Sequence, residues 1–151
     1  MSEVERIQDQ LIRAFQGEAW HGPSVKETLA GVTAAKAIAK PLANTHCIWE
    51  IVLHITAWQE AVRRRLQGET IELTEQQDWP PVRETTEVAW SGALTALESA
   101  HSHLLTALSH LTDEQLAQKA AGSNYSNYFM LHGVIQHNLF HAGQIAVLKK
   151  G

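Results

Sequence analysis

The chain has 151 residues, 44% of them hydrophobic and 19% charged, and a formal net charge of −4 with neutral histidines. This length and composition suit a single domain over residues 1–151 that can bury a hydrophobic core of its own. The acidic balance argues against a nucleic-acid-binding protein, which normally carries a basic surplus, and the single cysteine, Cys47, excludes an intrachain disulfide.

The first predicted element is an amphipathic helix that begins after Ser2 and ends near Gly17. Residues 2–5 have the form of a capping box, in which a serine and a glutamate side chain satisfy free backbone N–H groups. Apolar residues then recur at spacings of three and four, the period of one helix face: Val4, Ile7, Leu11 and Phe15. Residues 20–44 are predicted to form a connection with short helical turns, because proline and glycine interrupt any longer pattern.

A second, long helix is predicted to begin at Asn44 or Thr45, either of which can cap it, and to end at Gly68. Its buried face is formed by the apolar residues Ile48, Ile51, Val52, Ile55, Val62 and Leu66. Three consecutive arginines, residues 63–65, point in three directions on a helix, which favours a solvated surface over a basic patch. Residues 69–83 contain two adjacent prolines and are predicted to form a loop.

A third helix is predicted over residues 84–111 and a final one over residues 126–149. His101 lies on the apolar face of the third helix, whereas His103 and His110 fall outside that face. A short helix capped by Thr112 and a polar loop at residues 122–127 join the two long helices. Four helices with one-sided apolar faces bury them against one another, so the sequence predicts an all-α four-helix bundle.

The predicted connections of this bundle are long. Because residues 20–44 and 69–83 exceed what a simple up-and-down bundle needs, we expect at least one crossover connection. No stretch approaches the roughly 18 apolar residues of a membrane helix, and the N-terminus lacks the basic and apolar segments of a signal peptide. We therefore expect a cytoplasmic protein that does not bind membranes.

The strongest local pattern is a pair of histidines one helical turn apart, His137 and His141, in a chain with nine histidines. Residues four apart project from the same helix face, so both imidazoles can reach one metal ion. The pair lies on the flank of the apolar face of the last helix, and His54 lies on a similar flank of the second. Two helices meeting along these flanks would bring together three imidazoles and leave a fourth metal position open.

Nearby residues leave alternatives open. Glu50, one turn before His54, could orient a ligand or act as a general base, or it could be a surface carboxylate near a helix N-terminus. His101 is a rival ligand, although a lone buried histidine is more often satisfied by one hydrogen bond. Trp58 is expected to pack in the core, and Gly143 to allow the close approach of a neighbouring helix. A protein that binds no metal is a further alternative, because short motifs also arise by chance.

Two segments resemble the DinB-like (YfiT-like) superfamily of small metal-binding helical proteins. They are residues 48–55, Ile-Trp-Glu-Ile-Val-Leu-His-Ile, and residues 137–145, His-Asn-Leu-Phe-His-Ala-Gly-Gln-Ile. The family pattern is one histidine in the second helix followed by HxxxHxGQ in the last. Residues 22–25, Gly-Pro-Ser-Val, also resemble the connection after the first helix of the family, so the resemblance covers most of the chain.

The resemblance implies a four-helix bundle that forms a homodimer and binds a divalent metal, most often nickel or zinc, through His54, His137 and His141. Gln144 matches the glutamine of the family motif and is a candidate for cofactor binding, and Trp79 or Trp90 for the dimer contact. Some relatives are transferases or isomerases that use a low-molecular-weight thiol, and others are described as metal-dependent hydrolases. The prediction is therefore a metal-dependent enzyme. The alternative is a non-catalytic dimeric stress-related or interaction protein with a structural or adventitious metal.

Overall fold

Four long helices form a bundle in the computed structural model, which describes residues 1–151. These are α1 (Glu3–Gln16), α4 (Ile48–Leu66), α6 (Glu87–Ser109) and α8 (Asn127–Leu148). Four short helices lie in the connections: α2 (Val25–Leu29), α3 (Ala34–Ile38), α5 (Glu75–Asp78) and α7 (Asp113–Leu116). No β-strand is present, so the predicted all-α fold is confirmed. None of the helices combines the length and apolar character that crossing a membrane requires.

Each long helix packs against two of the other three. Helices α1 and α4 both contact α6 and α8, whereas α1 does not contact α4 and α6 does not contact α8. Helices α1 and α4 therefore stand diagonally opposite each other, although they are consecutive long helices in the chain. The connection that carries α2 and α3 crosses the bundle, which confirms the predicted crossover.

Hydroxyl caps explain where seven of the eight helices begin. In each, the hydroxyl of the preceding residue accepts a hydrogen bond from a backbone N–H of the first turn: Ser2, Ser24, Thr33, Thr74, Thr86, Thr112 and Ser126. Helix α4 differs, because Cys47 precedes it and the Glu50 carboxylate accepts the Cys47 N–H at 2.8 Å. The predicted cap at Asn44 or Thr45 was wrong. Asn44 has a φ of 61°, and the Thr45 hydroxyl donates to the Leu42 carbonyl, so both belong to a turn before the helix.

The connection from α4 to α6 is not the plain loop that the sequence predicted. Thr74 and Gln77 each accept a hydrogen bond from the other's backbone N–H group, and this capping box starts α5. Two prolines follow Trp79 and prevent the helix from continuing. This single turn of helix packs against α4 and places Asp78 and Trp79 beside it.

The core consists of two apolar clusters, one in each half of the bundle. Between their residues lies a buried polar side chain from each of three long helices: Gln59 on α4, His101 on α6 and Asn138 on α8. We call these three residues the polar layer. The amides of Gln59 and Asn138 have no hydrogen-bond partner in the protein. Since an unpaired buried amide costs free energy, these two amides do not add to the stability of the core.

His101 in the polar layer is held neutral by burial. Its ring stacks on Phe15 with 4.0 Å between the ring centroids, and the Gln16 side chain bonds to its Nε2 at 3.2 Å. Burial, with a smaller contribution from Lys26, lowers the pKa of His101 from 6.5 to about 4. The prediction that His101 is buried is confirmed.

We expect that replacing His101 by phenylalanine will make the free energy of unfolding fall less as the pH is lowered. Between pH 6.5 and pH 4 the unfolded chain binds a proton at His101 that the folded chain does not, so the free energy of unfolding falls as the pH falls. Through His101 alone, wild type should lose about 2 kcal/mol of this free energy from pH 7 to pH 5. Urea unfolding of both proteins at the two pH values measures the difference. Equal losses in the two proteins would contradict the assignment.

Candidate metal centre

Three histidines from two helices converge where α4 packs on α8. His54 comes from α4, and His137 and His141 come from successive turns of α8. The Nε2 atom of His137 lies 3.0 Å from Nε2 of His54 and 3.1 Å from Nε2 of His141. Nitrogens bound at about 2.0–2.1 Å to one ion lie about 3 Å apart, so this spacing suits a shared ion. We call these residues the histidine triad.

Hydrogen bonds orient two rings of the triad. The Nδ1–H of His54 donates to the backbone carbonyl of Asp78 at 2.7 Å, with the Asp78 carboxylate 3.0 Å away. The Nδ1–H of His141 donates to the side-chain oxygen of Gln144 at 2.7 Å. Because Nδ1 carries the proton in both rings, each Nε2 keeps its lone pair for a ligand bond.

Burial keeps the triad uncharged. It lowers the pKa of His137 from 6.5 to about 3, and the neighbouring His141 and His54 lower it further. Burial also lowers the pKa of His54 and His141, outweighing the opposite effect of Asp78 on His54 and of Gln144 on His141. Neutral imidazole is the form that binds metals, so the triad is ready to do so at neutral pH.

The donor set of the triad fits a cation. The Nε2 lone pairs of His54 and His141 both face Nε2 of His137. A single proton on that nitrogen could form a hydrogen bond with only one of the two. The Nδ1 atom of His137 is buried without a hydrogen-bond partner, so no neighbouring group fixes the proton there either. A divalent ion would accept all three lone pairs at once. Imidazole nitrogens suit zinc, nickel, copper and iron.

Helix α5 and the residue after it make contacts with the triad that the sequence did not indicate. The Asp78 carboxylate accepts the indole N–H of Trp58 at 2.6 Å in addition to its contact with His54. The Trp79 ring stacks on His54 at 3.8 Å between centroids and on His46 at 3.6 Å, nearly parallel to both. Asp78 therefore contacts the edge of the His54 ring, and Trp79 covers one of its faces. No local motif signals these contacts, because they depend on how the 69–83 segment folds back on α4.

Glu50 has partners outside the triad. Its carboxylate accepts the Cys47 N–H and lies 3.6 Å from the Lys40 amine and 3.5 Å from His46. Although burial alone would raise the pKa of Glu50, the Cys47 hydrogen bonds and Lys40 lower it below its usual value. The carboxylate therefore stays ionised and caps α4, and its role as a general base stays a prediction.

Other expectations about single residues need correction. Trp58 is half-buried between Asp78 and His137 and is not a core residue. A Cβ atom at Gly143 would meet nothing within 4 Å, so no neighbouring helix requires a glycine there. Trp90 is 2% exposed and donates its indole N–H to the Val32 carbonyl, so it cannot form a dimer contact on the surface. Cys47 was not among the expected site residues, and burial raises the pKa of its thiol, which argues against its use as a nucleophile.

The triad lies between two cavities. A groove of about 650 Å³ reaches His141 and Gln144 and is otherwise bordered mainly by apolar side chains, among them Trp79 and Phe140. A smaller pocket of about 240 Å³ reaches His137 from the side of Trp58 and Arg65. Small molecules can therefore approach the triad from two directions, which suits an open metal position more than a closed structural one.

Comparison with known proteins gives a family and a similar fold. The family model of the DinB superfamily matches residues 19–145. The fold is similar to the crystal structure of a conserved protein from Enterococcus faecalis, with a TM-score of 0.70 over 99% of this chain and 96% of that one. The two sequences are 16% identical, so this likeness concerns the fold alone. No curated protein is significantly similar in sequence to this chain.

Proposed function

The chain belongs to the DinB superfamily, and from that membership and the geometry of the triad we propose that it binds one divalent metal ion through His54, His137 and His141. The observation that carries the proposal is the convergence of three neutral imidazoles on one point with Nε2 separations of 3.0 and 3.1 Å. Zinc or nickel is the proposed metal, since imidazole suits both and the resemblance to the family implies these two.

We propose further that the centre is catalytic. The bound ion would supply Lewis-acid chemistry, with positions left for water or for a low-molecular-weight thiol. Around it, His54 and His141 are held as neutral ligands by Asp78 and Gln144, and Trp79 shields one face of His54. A hydrolase or a thiol-dependent transferase fits these features. Metal-loaded protein that turns over no member of a hydrolase panel and of a thiol-transfer panel would contradict this part.

A non-catalytic dimer with a structural or adventitious metal is the second candidate. Its dimeric state is favoured by apolar side chains beside the larger groove that are exposed in this single chain: Leu42, Phe140 and Val147. A homodimer that covers this rim would bury them. Light scattering decides the oligomeric state, and a monomer would remove this candidate.

Removing the metal is expected to leave the bundle folded. Neither apolar cluster includes a triad residue. The core can therefore form without the ion, whereas a small zinc domain needs its ion to fold. Untagged protein is purified, its bound metal is measured by elemental analysis, and the helical circular dichroism is recorded before and after chelation. Near-stoichiometric metal and an unchanged helical signal at 25 °C are expected. Loss of the helical signal on chelation would instead establish a structural metal.

A further inference from the structure

The three consecutive arginines of α4 differ in their partners. The Arg63 guanidinium binds the Glu60 carboxylate, and Arg64 binds the Glu69 carboxylate at 2.7 Å. No carboxylate lies within salt-bridge distance of Arg65, and its partners are neutral: Nε and Nη2 donate to the Ile71 carbonyl, and Nη1 donates to the Tyr125 hydroxyl. Arg65 is therefore a half-buried cation without a counter-charge in the protein.

The hydrogen bonds of Arg65 leave part of its guanidinium free. A guanidinium has five N–H groups, and the contacts with Ile71 and Tyr125 use three of them. One N–H group on each terminal nitrogen remains without an acceptor in the protein. Each of these two N–H groups can donate to an oxygen of a carboxylate or a phosphate.

This cation borders the pocket that leads to the histidine triad. Arg65 and His137 both line the 240 Å³ pocket, and Trp58 lies between them. The Trp58 ring is 5.6 Å from the Arg65 guanidinium carbon and 6.1 Å, centroid to centroid, from the His137 ring. The rest of the lining is largely apolar, with Val62, Met130 and Val134 among it. One end of the pocket therefore suits a negative charge, and the space between that end and the triad suits a short apolar group.

We propose that Arg65 is the anion-recognition residue of a substrate subsite beside the triad. The ligand class is a small molecule that carries one carboxylate or phosphate group on a short apolar body. The anion binds the two free N–H groups of Arg65, and the apolar body lies along Trp58 toward His137. As a statement about the substrate, this rests on the metal centre proposed above. The subsite itself is a property of α4 and of the pocket.

The test compares three probes with the same apolar body: hexanoate, hexyl phosphate and 1-hexanol. Their binding to the zinc-loaded and to the chelated full-length protein is measured by titration calorimetry at low salt. At least one of the two anions is expected to bind more tightly than the alcohol, and the tighter anion identifies the head group. Replacing Arg65 by glutamine is expected to weaken that anion at least about ten-fold, as the loss of a charge-assisted bidentate contact does. Binding of 1-hexanol should not change.

Arg64→Gln is the matched control, because it removes the same charge one residue away from a side chain that already has a carboxylate partner. It should change anion binding by less than about two-fold, since exposed charges act weakly through water. Arg65→Lys keeps the positive charge but lacks the two terminal guanidinium nitrogens, so it should bind the anion more tightly than Arg65→Gln and less tightly than wild type. A variant that has only lost its fold would weaken all three probes alike, and circular dichroism identifies it.

Several results would overturn the subsite: equal effects of Arg65→Gln and Arg64→Gln, an alcohol that binds wild type as tightly as the anions, or no binding of either anion. Zinc content measured on the same samples separates the two proposals. Zinc uptake without Arg65-dependent anion binding refutes the subsite alone. Arg65-dependent anion binding in protein that takes up no zinc refutes the metal centre and keeps the subsite.

Discussion

Replacing His137 by alanine is expected to lower the affinity for zinc by more than about 100-fold. Losing a residue that only hydrogen-bonds to a metal ligand costs about 10–100-fold, and the loss of a ligand itself costs more. His137 is the triad residue whose Nε2 lies within 3.1 Å of both other triad nitrogens, so its removal leaves two imidazoles on different helices. Competition with a chromophoric chelator measures the affinity, and elemental analysis measures the bound metal.

His103→Ala is the matched control for this variant. His103 is an exposed histidine of α6 and is not part of the triad, so its loss should leave zinc binding unchanged. Unfolding measurements on the chelated proteins test whether His137→Ala still folds. If that variant kept wild-type zinc affinity, the triad could not be the metal site.

Replacing Gln144 by leucine is the second large effect that we expect, a loss of about 10–100-fold in zinc affinity. The Gln144 oxygen is the only hydrogen-bond partner of Nδ1 in His141. Without it, His141 is free to rotate or to place its proton on Nε2, where the proton would block the metal. Leucine is similar in size to glutamine but cannot accept the hydrogen bond.

Gln144→Glu provides the opposite test. A carboxylate accepts the same Nδ1–H more strongly and raises the basicity of the ring, so zinc affinity should be at least that of wild type. Replacing Asp78 by leucine should lower zinc affinity less than Gln144→Leu does. The backbone carbonyl of Asp78, which the substitution leaves in place, also accepts the Nδ1–H of His54. Equal zinc affinities of the Gln144→Leu and Gln144→Glu variants would refute the orienting role.

The helical architecture could be predicted because its signals are local. The apolar spacing of residues 4–15 and 131–145 and the hydroxyl caps at Ser2, Thr112 and Ser126 act over one or two turns. One error occurred where residues 75–78 form a short helix within the predicted loop, and another where a cap used an unexpected residue. Helix α4 begins after Cys47 because the Glu50 carboxylate binds the Cys47 N–H, and cysteine does not rank among the preferred caps.

Of the site, the sequence predicted the residues that one helix places together. Residues four apart on a helix share a face, so His137 and His141 could be paired from their spacing alone. Their meeting with His54 was predicted from the flanks of two helices and from the family resemblance, and the structure brings all three together. Metal binding itself stays a prediction until it is measured.

The sequence by itself determined the helices, the buried faces and the histidines that one turn brings together, since these depend on contacts a few residues apart. Only the tertiary structure decided that Asp78 and Trp79 fix His54 and that Arg65 alone of three arginines lacks a carboxylate. These outcomes depend on which residues distant in the chain become neighbours. Periodicity states which face of a helix is buried, but it does not state what packs against that face.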